Sequence, residues 1–217
     1  MGGQSRSVIR VIVQKIDDGL LGPGDGVDEK ALVQELGVSH TPIREAILKL
    51  EAQGLVQRMP RKGAAVFKPS LKEFLSILEV DAKLEGQAAG LAARRLSEKG
   101  RAQLEAATAA CESHVARHAE RRPSDYHQLN LAFHGAIADG SGNPVLAEMI
   151  RANARRLMGY YRAEYRLKGV MEASALAHRS IAEAILEGDE TEAEARMSGH
   201  VQMDQARVLD LLAMFDS

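Results

Sequence analysis

The order of segments in residues 8–67 constrains the fold more than any other feature of this chain. Apolar residues recur at helical spacing in three segments, 8–16, 29–36 and 42–53. Gly37 and Ser39 stand between the second and third segments, where a glycine ends one helix and a serine caps the next. Two strand-like segments, 55–59 and 64–67, follow and form a hairpin. This order predicts a winged helix-turn-helix, in which the helix after the turn enters the major groove of DNA.

No strand signal follows Leu71, and helical periodicity recurs in six blocks. The blocks cover residues 71–96, 98–119, 124–139, 143–168, 171–187 and 189–214. Pro69 and Ser70 mark the boundary between the two parts of the chain. We therefore predict a mainly α fold, with a winged helix-turn-helix over residues 1–70 and an all-α helical bundle over residues 71–217. The second part is long enough to bury a core of its own.

Composition excludes several classes of protein. The chain has 217 residues, of which 45% are hydrophobic and 27% are charged, as in ordinary globular proteins. It has no run of about 18 apolar residues and no apolar segment near its start, so we expect neither a membrane span nor a secretory signal. The single cysteine, Cys111, rules out a disulfide framework and a cysteine-based zinc finger. These features favour a cytoplasmic location and argue against a membrane partner.

The segment around the predicted helix-turn-helix is basic, although the whole chain carries a net charge of −2. Residues 40–70 contain six Lys or Arg and two Asp or Glu, which suits an anionic partner. Arg44 is expected on the outward face of the recognition helix, where a guanidinium can bind guanine O6 and N7. Ser39 and Thr41 can donate to phosphates at the start of that helix. The other candidates for DNA contact are Lys30 and the hairpin-tip residues Arg61, Lys62 and Gly63.

Residues 28–67 resemble the DNA-binding domain of GntR-family bacterial transcription regulators. The family pattern runs approximately LGVSRTPVREAL, and this chain reads ELGVSHTPIREAI over residues 35–47. The segment RKGAAV over residues 61–66 matches the wing of the same pattern. The family usually has an arginine that often contacts a base where this chain has His40. The resemblance therefore implies that His40 contacts DNA, with an altered operator sequence or weaker binding.

Three histidines in the second part are candidates for metal binding. Asn130 and His134 are four residues apart and share a helix face. His178 and His200 lie beside core-type positions on later predicted helices. Three imidazoles and one oxygen ligand suit Zn²⁺, Ni²⁺ or another first-row divalent ion. Spacing alone does not select this set, because a histidine on an apolar face is commonly a hydrogen-bonded core residue.

Residues 71–214 resemble the FCD effector domain of the FadR subgroup of GntR regulators. That domain has an Asp or Asn four residues before a histidine, a second histidine before an IxxAI run, and a third histidine near the start of the last helix. The matching residues here are Asn130, His134, His178 and His200. The resemblance implies a bound divalent metal, with zinc as first choice and nickel or manganese as alternatives. Asn130 removes the negative charge that an aspartate would bring to this ligand set.

The same resemblance implies a cavity above the metal that binds a small-molecule effector, an organic acid for example. The family often carries an arginine in the first helix of the domain, in an EVRxxLE context. This chain reads EVDAKLE over residues 79–85, so Asp81 replaces the arginine and an amine-bearing or neutral ligand becomes an alternative. The candidate effector-binding residues are Asp81, Arg151, Arg155 and Tyr161.

These patterns together predict a DNA-binding transcription regulator whose operator affinity is modulated by a small metabolite. Repression relieved by the metabolite is the usual mode of such regulators and our first expectation, and activation is equally compatible with this sequence. One recognition helix reads few base pairs, so we expect a homodimer on a pseudo-palindromic double-stranded operator. Two alternatives use the same residues: the metal itself is the effector, or a three-histidine metal site hydrolyses a substrate. Hydrolysis is disfavoured because no acidic residue has distinctive spacing as a general base and the winged part would have no role. We therefore expect no enzymatic activity.

Overall fold

The computed structural model describes residues 2–60, 63–117 and 123–202. Contacts within the chain divide it into two compact units, residues 1–69 and residues 70–217. Each unit has buried apolar side chains of its own. Among the described residues, no helix is both long enough and apolar enough to cross a lipid bilayer.

The first unit combines helices with a small antiparallel sheet. Its elements are α1 (Gly2–Asp17), β1 (Gly26–Val27), α2 (Glu29–Leu36), α3 (His40–Ala52), β2 (Val56–Met59) and β3 (Gly63–Val66). The strand order is β1-β3-β2, so the expected hairpin gains a third strand. Ile12 on α1 and Ile43 and Leu50 on α3 are fully buried where these helices pack together. Burial of each such side chain stabilises the unit by about 1.5–3 kcal/mol.

The turn between α2 and α3 follows the sequence prediction in part. The side chain of Asp28 caps α2 by accepting hydrogen bonds from the backbone N–H groups of Lys30 and Ala31. Gly37 ends α2 with a φ of 62°, a left-handed conformation that favours glycine. Ser39 occupies the N-cap position of α3, but its side chain makes no capping hydrogen bond, so the expected cap is wrong. Its hydroxyl is therefore not engaged in capping.

The second unit is helical throughout its described residues. Its elements are α4 (Leu71–Arg95), α5 (Glu98–Arg117), α6 (Pro123–Gly140), α7 (Pro144–Glu164), α8 (Val170–Glu187) and α9 (Glu190–Val201). Helix α4 packs against α6, α7, α8 and α9, and so forms the centre of the unit. Ser70 and Glu73 form a reciprocal capping box at its start. The expected continuation of the last helix to residue 214 lies outside the described residues.

Several element boundaries differ from those that the sequence predicts. Helix α1 begins at Gly2 rather than at residue 8. The sequence prediction started too late because the polar residues before position 8 have no apolar periodicity that would mark a helix. Strand β1 has two residues and is held by pairing with β3, so no local pattern reveals it. Helix α7 ends at Glu164 rather than at residue 168, and Gly169, with a φ of 84°, precedes α8.

Candidate DNA-binding surface and candidate metal centre

Helix α3 has one buried face and one exposed face. Its buried residues are Pro42, Ile43, Ala46, Ile47 and Leu50. Ser39, His40, Thr41 and Arg44 are exposed at the beginning of the helix. Because the buried residues recur every three or four positions, the candidate DNA-contact residues are left on the outward face. The structure therefore brings these four candidates together on a surface that can approach a DNA groove.

Two further candidates for DNA contact are described outside α3. Lys30 lies exposed in the first turn of α2. Gly63 begins β3 with a φ of 79°, a conformation that side-chain-bearing residues rarely adopt. The remaining candidates, Arg61 and Lys62, lie outside the described residues. The DNA-binding roles of all these residues stay predictions.

Three histidines from three helices converge in the second unit. His134 lies on α6, His178 on α8 and His200 on α9, and each offers a ring nitrogen within 4.8 Å of those of the other two. The Nε2 atoms of His178 and His200 are 3.1 Å apart. Two ring nitrogens at this distance face either a shared proton or a shared cation. This donor set fits zinc or nickel, which prefer imidazole nitrogen.

The surroundings of His178 keep its imidazole neutral and fix its orientation. The side chain is fully buried, and its ring stacks on Phe133 with centroids 3.9 Å apart. Burial, followed by the neighbouring rings of His200 and His134, holds the pKa of His178 well below its usual value. A neutral imidazole keeps the lone pair that a metal ligand requires.

The histidine cluster borders a cavity of about 380 Å³. Asn130, His134 and His200 line this cavity, and His178 is buried beside His200. Asn130 is 6% exposed and lies one helical turn before His134. The structure thus places all four sequence-predicted ligand residues in one region of the unit. The cavity has the volume of a site for a small metabolite.

Glu85 on α4 is a cavity residue that the sequence analysis missed. It is 5% exposed, and its Oε2 atom contacts Nδ1 of His134. Glu164 on α7 also lines the cavity and is buried. None of the described residues that line the cavity is a lysine or an arginine. Glu85 lies among buried small residues of α4, such as Ala82, Gly86 and Ala89. An acidic residue at such a position was the sequence signal that could have identified it.

The expected effector-binding residues on α7 divide into two groups. Tyr161 lines the cavity, whereas Arg151 and Arg155 do not. The guanidinium of Arg151 pairs with the exposed carboxylate of Asp139 at 2.5 Å. Arg155 follows the cavity-lining Ala154 directly but is not among the described residues that line the cavity. The expectation that the two arginines line the effector cavity is therefore wrong.

Asp81 does not line the cavity either, although it was expected to bind effector. It is fully buried on α4, where its Oδ1 atom accepts a hydrogen bond of 3.1 Å from Nδ2 of Asn153. Its Oδ2 atom has no hydrogen-bond partner in the described part of the chain. Burial, and then the charge of Glu85, raise the pKa of Asp81 to about 8, against the lowering effect of Asn153. Asp81 is therefore mainly protonated at neutral pH.

Helix α9 packs closely on α4, and this packing holds His200 beside His178. The close approach of the two helices depends on a glycine of α4. A Cβ atom on Gly86 would lie 2.1 Å from Oγ of Ser198 and 3.1 Å from the backbone oxygen of Glu194. Replacing Gly86 by alanine is therefore expected to displace α9 and to lower the free energy of unfolding by about 1–3 kcal/mol. Urea denaturation followed by circular dichroism measures this change.

Gly135→Ala is the matched control for that substitution. Gly135 lies within α6, and a Cβ atom there would meet nothing within 4 Å. Alanine is expected to stabilise this helix, or to leave it unchanged, because it has the higher helix propensity by about 1 kcal/mol. Equal stability of the Gly86→Ala variant and the wild type would refute close packing at Gly86.

An exposed recognition helix in one unit and a cavity bordered by three histidines in the other are typical of one class of protein, the DNA-binding regulators with an effector domain. Residues 4–66 match the family described as bacterial regulatory proteins, gntR family. Residues 76–203 match the FCD domain. The chain belongs to the GntR family of bacterial regulatory proteins and carries an FCD domain, which confirms both resemblances. Regulators of this family bind DNA operators, and their FCD domains bind small-molecule effectors.

The relatives that resemble most of the chain include the following two. One, from Paenarthrobacter nicotinovorans, is named "Probable D-xylose utilization operon transcriptional repressor". It is 29% identical over 193 residues, covering 88% of this chain and 82% of the relative. The HTH-type transcriptional regulator LutR of Bacillus subtilis (strain 168) is 28% identical over 207 residues, covering 86% of this chain and 92% of the relative. The function of a DNA-binding transcription regulator is thereby confirmed.

Solved structures share the fold. McbR/YncC of E. coli superimposes with a TM-score of 0.80 at 21% identity, covering 99% of this chain and 100% of that chain. A GntR regulator from Rhodococcus sp. RHA1 gives a TM-score of 0.75 at 17% identity, covering 96% of this chain and 97% of that chain. The expected mainly α architecture, a winged helix-turn-helix followed by a helical domain, is confirmed.

Proposed function

We propose that this regulator is a homodimeric repressor that a small metabolite controls through a divalent metal in its FCD domain. The observation that carries the proposal is the convergence of His134, His178 and His200 at a cavity of metabolite size. The protein acts by binding rather than by catalysis. Its place of action is the bacterial cytoplasm, where the operator lies.

The outward face of α3 would read the operator. The exposed guanidinium of Arg44 suits a bidentate contact with guanine in the major groove. Ser39 and Thr41 would donate to phosphates, and the N-terminus of α3 favours an anion. Two copies of the chain would place two such helices on the half-sites of a pseudo-palindrome. A name that includes "repressor" in one relative supports the direction of regulation.

The metal centre would be held by the three histidines together with Asn130. A bound Zn²⁺ or Ni²⁺ would supply coordination positions for oxygen atoms of the effector. His178 is fixed by its stacking on Phe133, so its nitrogen is oriented before a ligand arrives. Tyr161 lines the same cavity and can donate a hydrogen bond to an effector.

The charge of the cavity wall restricts the effector. Glu85 and Glu164 are the carboxylate side chains that line it among the described residues, and lysine and arginine are absent from that part of the wall. A small acid with one oxygen-donor group would fit the metal, whereas a second carboxylate would meet like charge. We therefore favour an effector whose other end is neutral or carries an amine. The effector can control operator binding only if it binds the DNA-bound and the DNA-free state of the protein with different affinities.

Arg44→Ala tests the assignment of the operator-reading surface. Loss of one bidentate base contact is expected to weaken operator binding by about 1–3 kcal/mol, or about 5- to 150-fold in Kd, and to relax the sequence preference at one position. Fluorescence anisotropy with an operator selected from random duplexes measures the change.

Arg94→Ala provides the control, because Arg94 is an exposed arginine of the other unit that pairs with Glu190 at 3.4 Å. Its operator affinity should equal that of the wild type. If Arg44→Ala also binds the selected operator with unchanged affinity and sequence preference, α3 does not read bases through this residue.

A further inference from the structure

We propose that Glu85 is a positioning residue of the metal centre, which orients His134 and supplies the negative charge that Asn130 does not carry. The inference rests on the metal site proposed above. Glu85 is the last residue of the EVDAKLE segment, and the resemblance to the FCD domain assigned it no role. Three observations support it: an atomic contact, the burial of both partners and the charge of the ligand set.

The contact determines which nitrogen of His134 faces the metal. Nδ1 of His134 lies against Oε2 of Glu85. A carboxylate accepts hydrogen bonds, so Glu85 favours the tautomer of His134 that carries its proton on Nδ1 and its lone pair on Nε2. His178 and His200 approach each other through their own Nε2 atoms. With Glu85 in place, all three histidines offer the same type of nitrogen to one ion.

Glu85 acts through His134 rather than as a ligand itself. The group of described side chains whose ligand atoms all lie within 4.8 Å of one another contains the three histidines and not Glu85. Glu85 comes from α4, which packs against the helices that carry His134 and His200. A carboxylate behind a metal-bound histidine fixes its tautomer and ring orientation and raises its basicity.

Charge gives Glu85 a second role. Three neutral imidazoles and the amide of Asn130 bring no negative charge to a divalent cation in a largely buried place. An uncompensated buried charge is costly, and Glu85, at 5% exposed, puts one carboxylate directly behind a ligand. The negative charge that an aspartate at position 130 would supply therefore comes from α4 in this chain.

Zinc affinity of the full-length protein tests this role in two variants. Glu85→Gln keeps a hydrogen-bond acceptor and removes the charge, whereas Glu85→Ala removes both. We expect Zn²⁺ affinity, measured by competition with a chromophoric chelator, to fall about 10-fold in Glu85→Gln and about 100-fold in Glu85→Ala. Asp81→Asn is the matched control, because Asp81 is a buried acid one turn before Glu85 on α4 and its hydrogen bond goes to Asn153. Its zinc affinity should remain within about threefold of the wild type.

The tautomer of His134 gives a readout that simple destabilisation of the fold would not change. In ¹⁵N-labelled, metal-free protein, the long-range ¹H–¹⁵N pattern should show Nδ1–H for His134 in the wild type and a mixture of the two tautomers in Glu85→Ala. Unchanged zinc affinity and tautomer in Glu85→Ala, or an equal loss in Asp81→Asn, would overturn the role of Glu85 while the metal site stands. A wild-type protein that binds no zinc would overturn the metal site and this inference together.

Discussion

Replacing His178 by alanine is expected to lower the affinity for Zn²⁺ by about a thousandfold, because one of three imidazole ligands is removed from a site whose metal affinity depends on all of them. His178 is fully buried, and an alanine side chain offers no atom that could bind the ion in its place. The metal content of the purified protein, measured by elemental mass spectrometry, should fall from about one ion per chain to almost none. The thermal stabilisation that added Zn²⁺ gives the wild type should disappear in the variant.

The control for this substitution is His127→Gln. His127 is also fully buried and lies on α6 with His134, but it does not belong to the histidine cluster. Its variant should retain bound metal even if its melting temperature falls. Stoichiometric metal in His178→Ala would show that the ion binds elsewhere.

Asp81→Asn is expected to stabilise the protein, and more so as the pH rises. The pKa of Asp81 is raised from 3.8 to about 8 by burial and by Glu85. Between these values the unfolded chain loses a proton that the folded chain retains, so Asp81 makes the free energy of unfolding decrease as the pH increases. The neutral asparagine removes this loss of stability, which reaches about 5 kcal/mol at pH 8.

Urea denaturation of the metal-free protein at about pH 4.5 and pH 8 measures this linkage. The variant should gain stability over the wild type at the higher pH and little at the lower pH. Asp139→Asn is the control, because this exposed carboxylate pairs with Arg151 at the surface and should show no such gain. An Asp81→Asn variant that is less stable than the wild type at pH 8 would mean that the folded protein requires the ionised carboxylate.

The winged unit could be predicted from sequence because its signals are local. Gly37 ends one helix and the apolar residues of α3 recur at helical spacing, so the turn and the recognition helix follow from neighbouring residues. Strand β1 could not be predicted, because its two residues are held by β3, which lies about forty positions later in the chain. The position of Ser39 before α3 predicts a capping hydrogen bond, but a residue at the N-cap makes that bond only if its side chain is oriented towards the helix, and the hydroxyl of Ser39 makes none.

The cavity was less predictable than the fold. The histidines were selected by a resemblance, since their spacing alone allowed core positions, and the structure brings all three together. Glu85 was missed because its contact with His134 joins residues 49 positions apart. The charge of Arg151 and Arg155 predicts an effector contact, but which residues of α7 line the cavity depends on the rotation of the helix about its axis. Such a rotation is set by packing and not by the residue type.

Selection of operators from a pool of random duplexes by the full-length, metal-loaded protein tests the central claim most directly. The account predicts enrichment of a pseudo-palindrome, with guanine at a fixed position in each half-site that is lost when Arg44→Ala repeats the selection. Two copies of the chain should bind each enriched duplex. A selection that enriches no sequence would contradict a dimeric repressor that reads its operator through α3. Enrichment of a single asymmetric site that one chain binds, and that Arg44→Ala leaves unchanged, would contradict it as well.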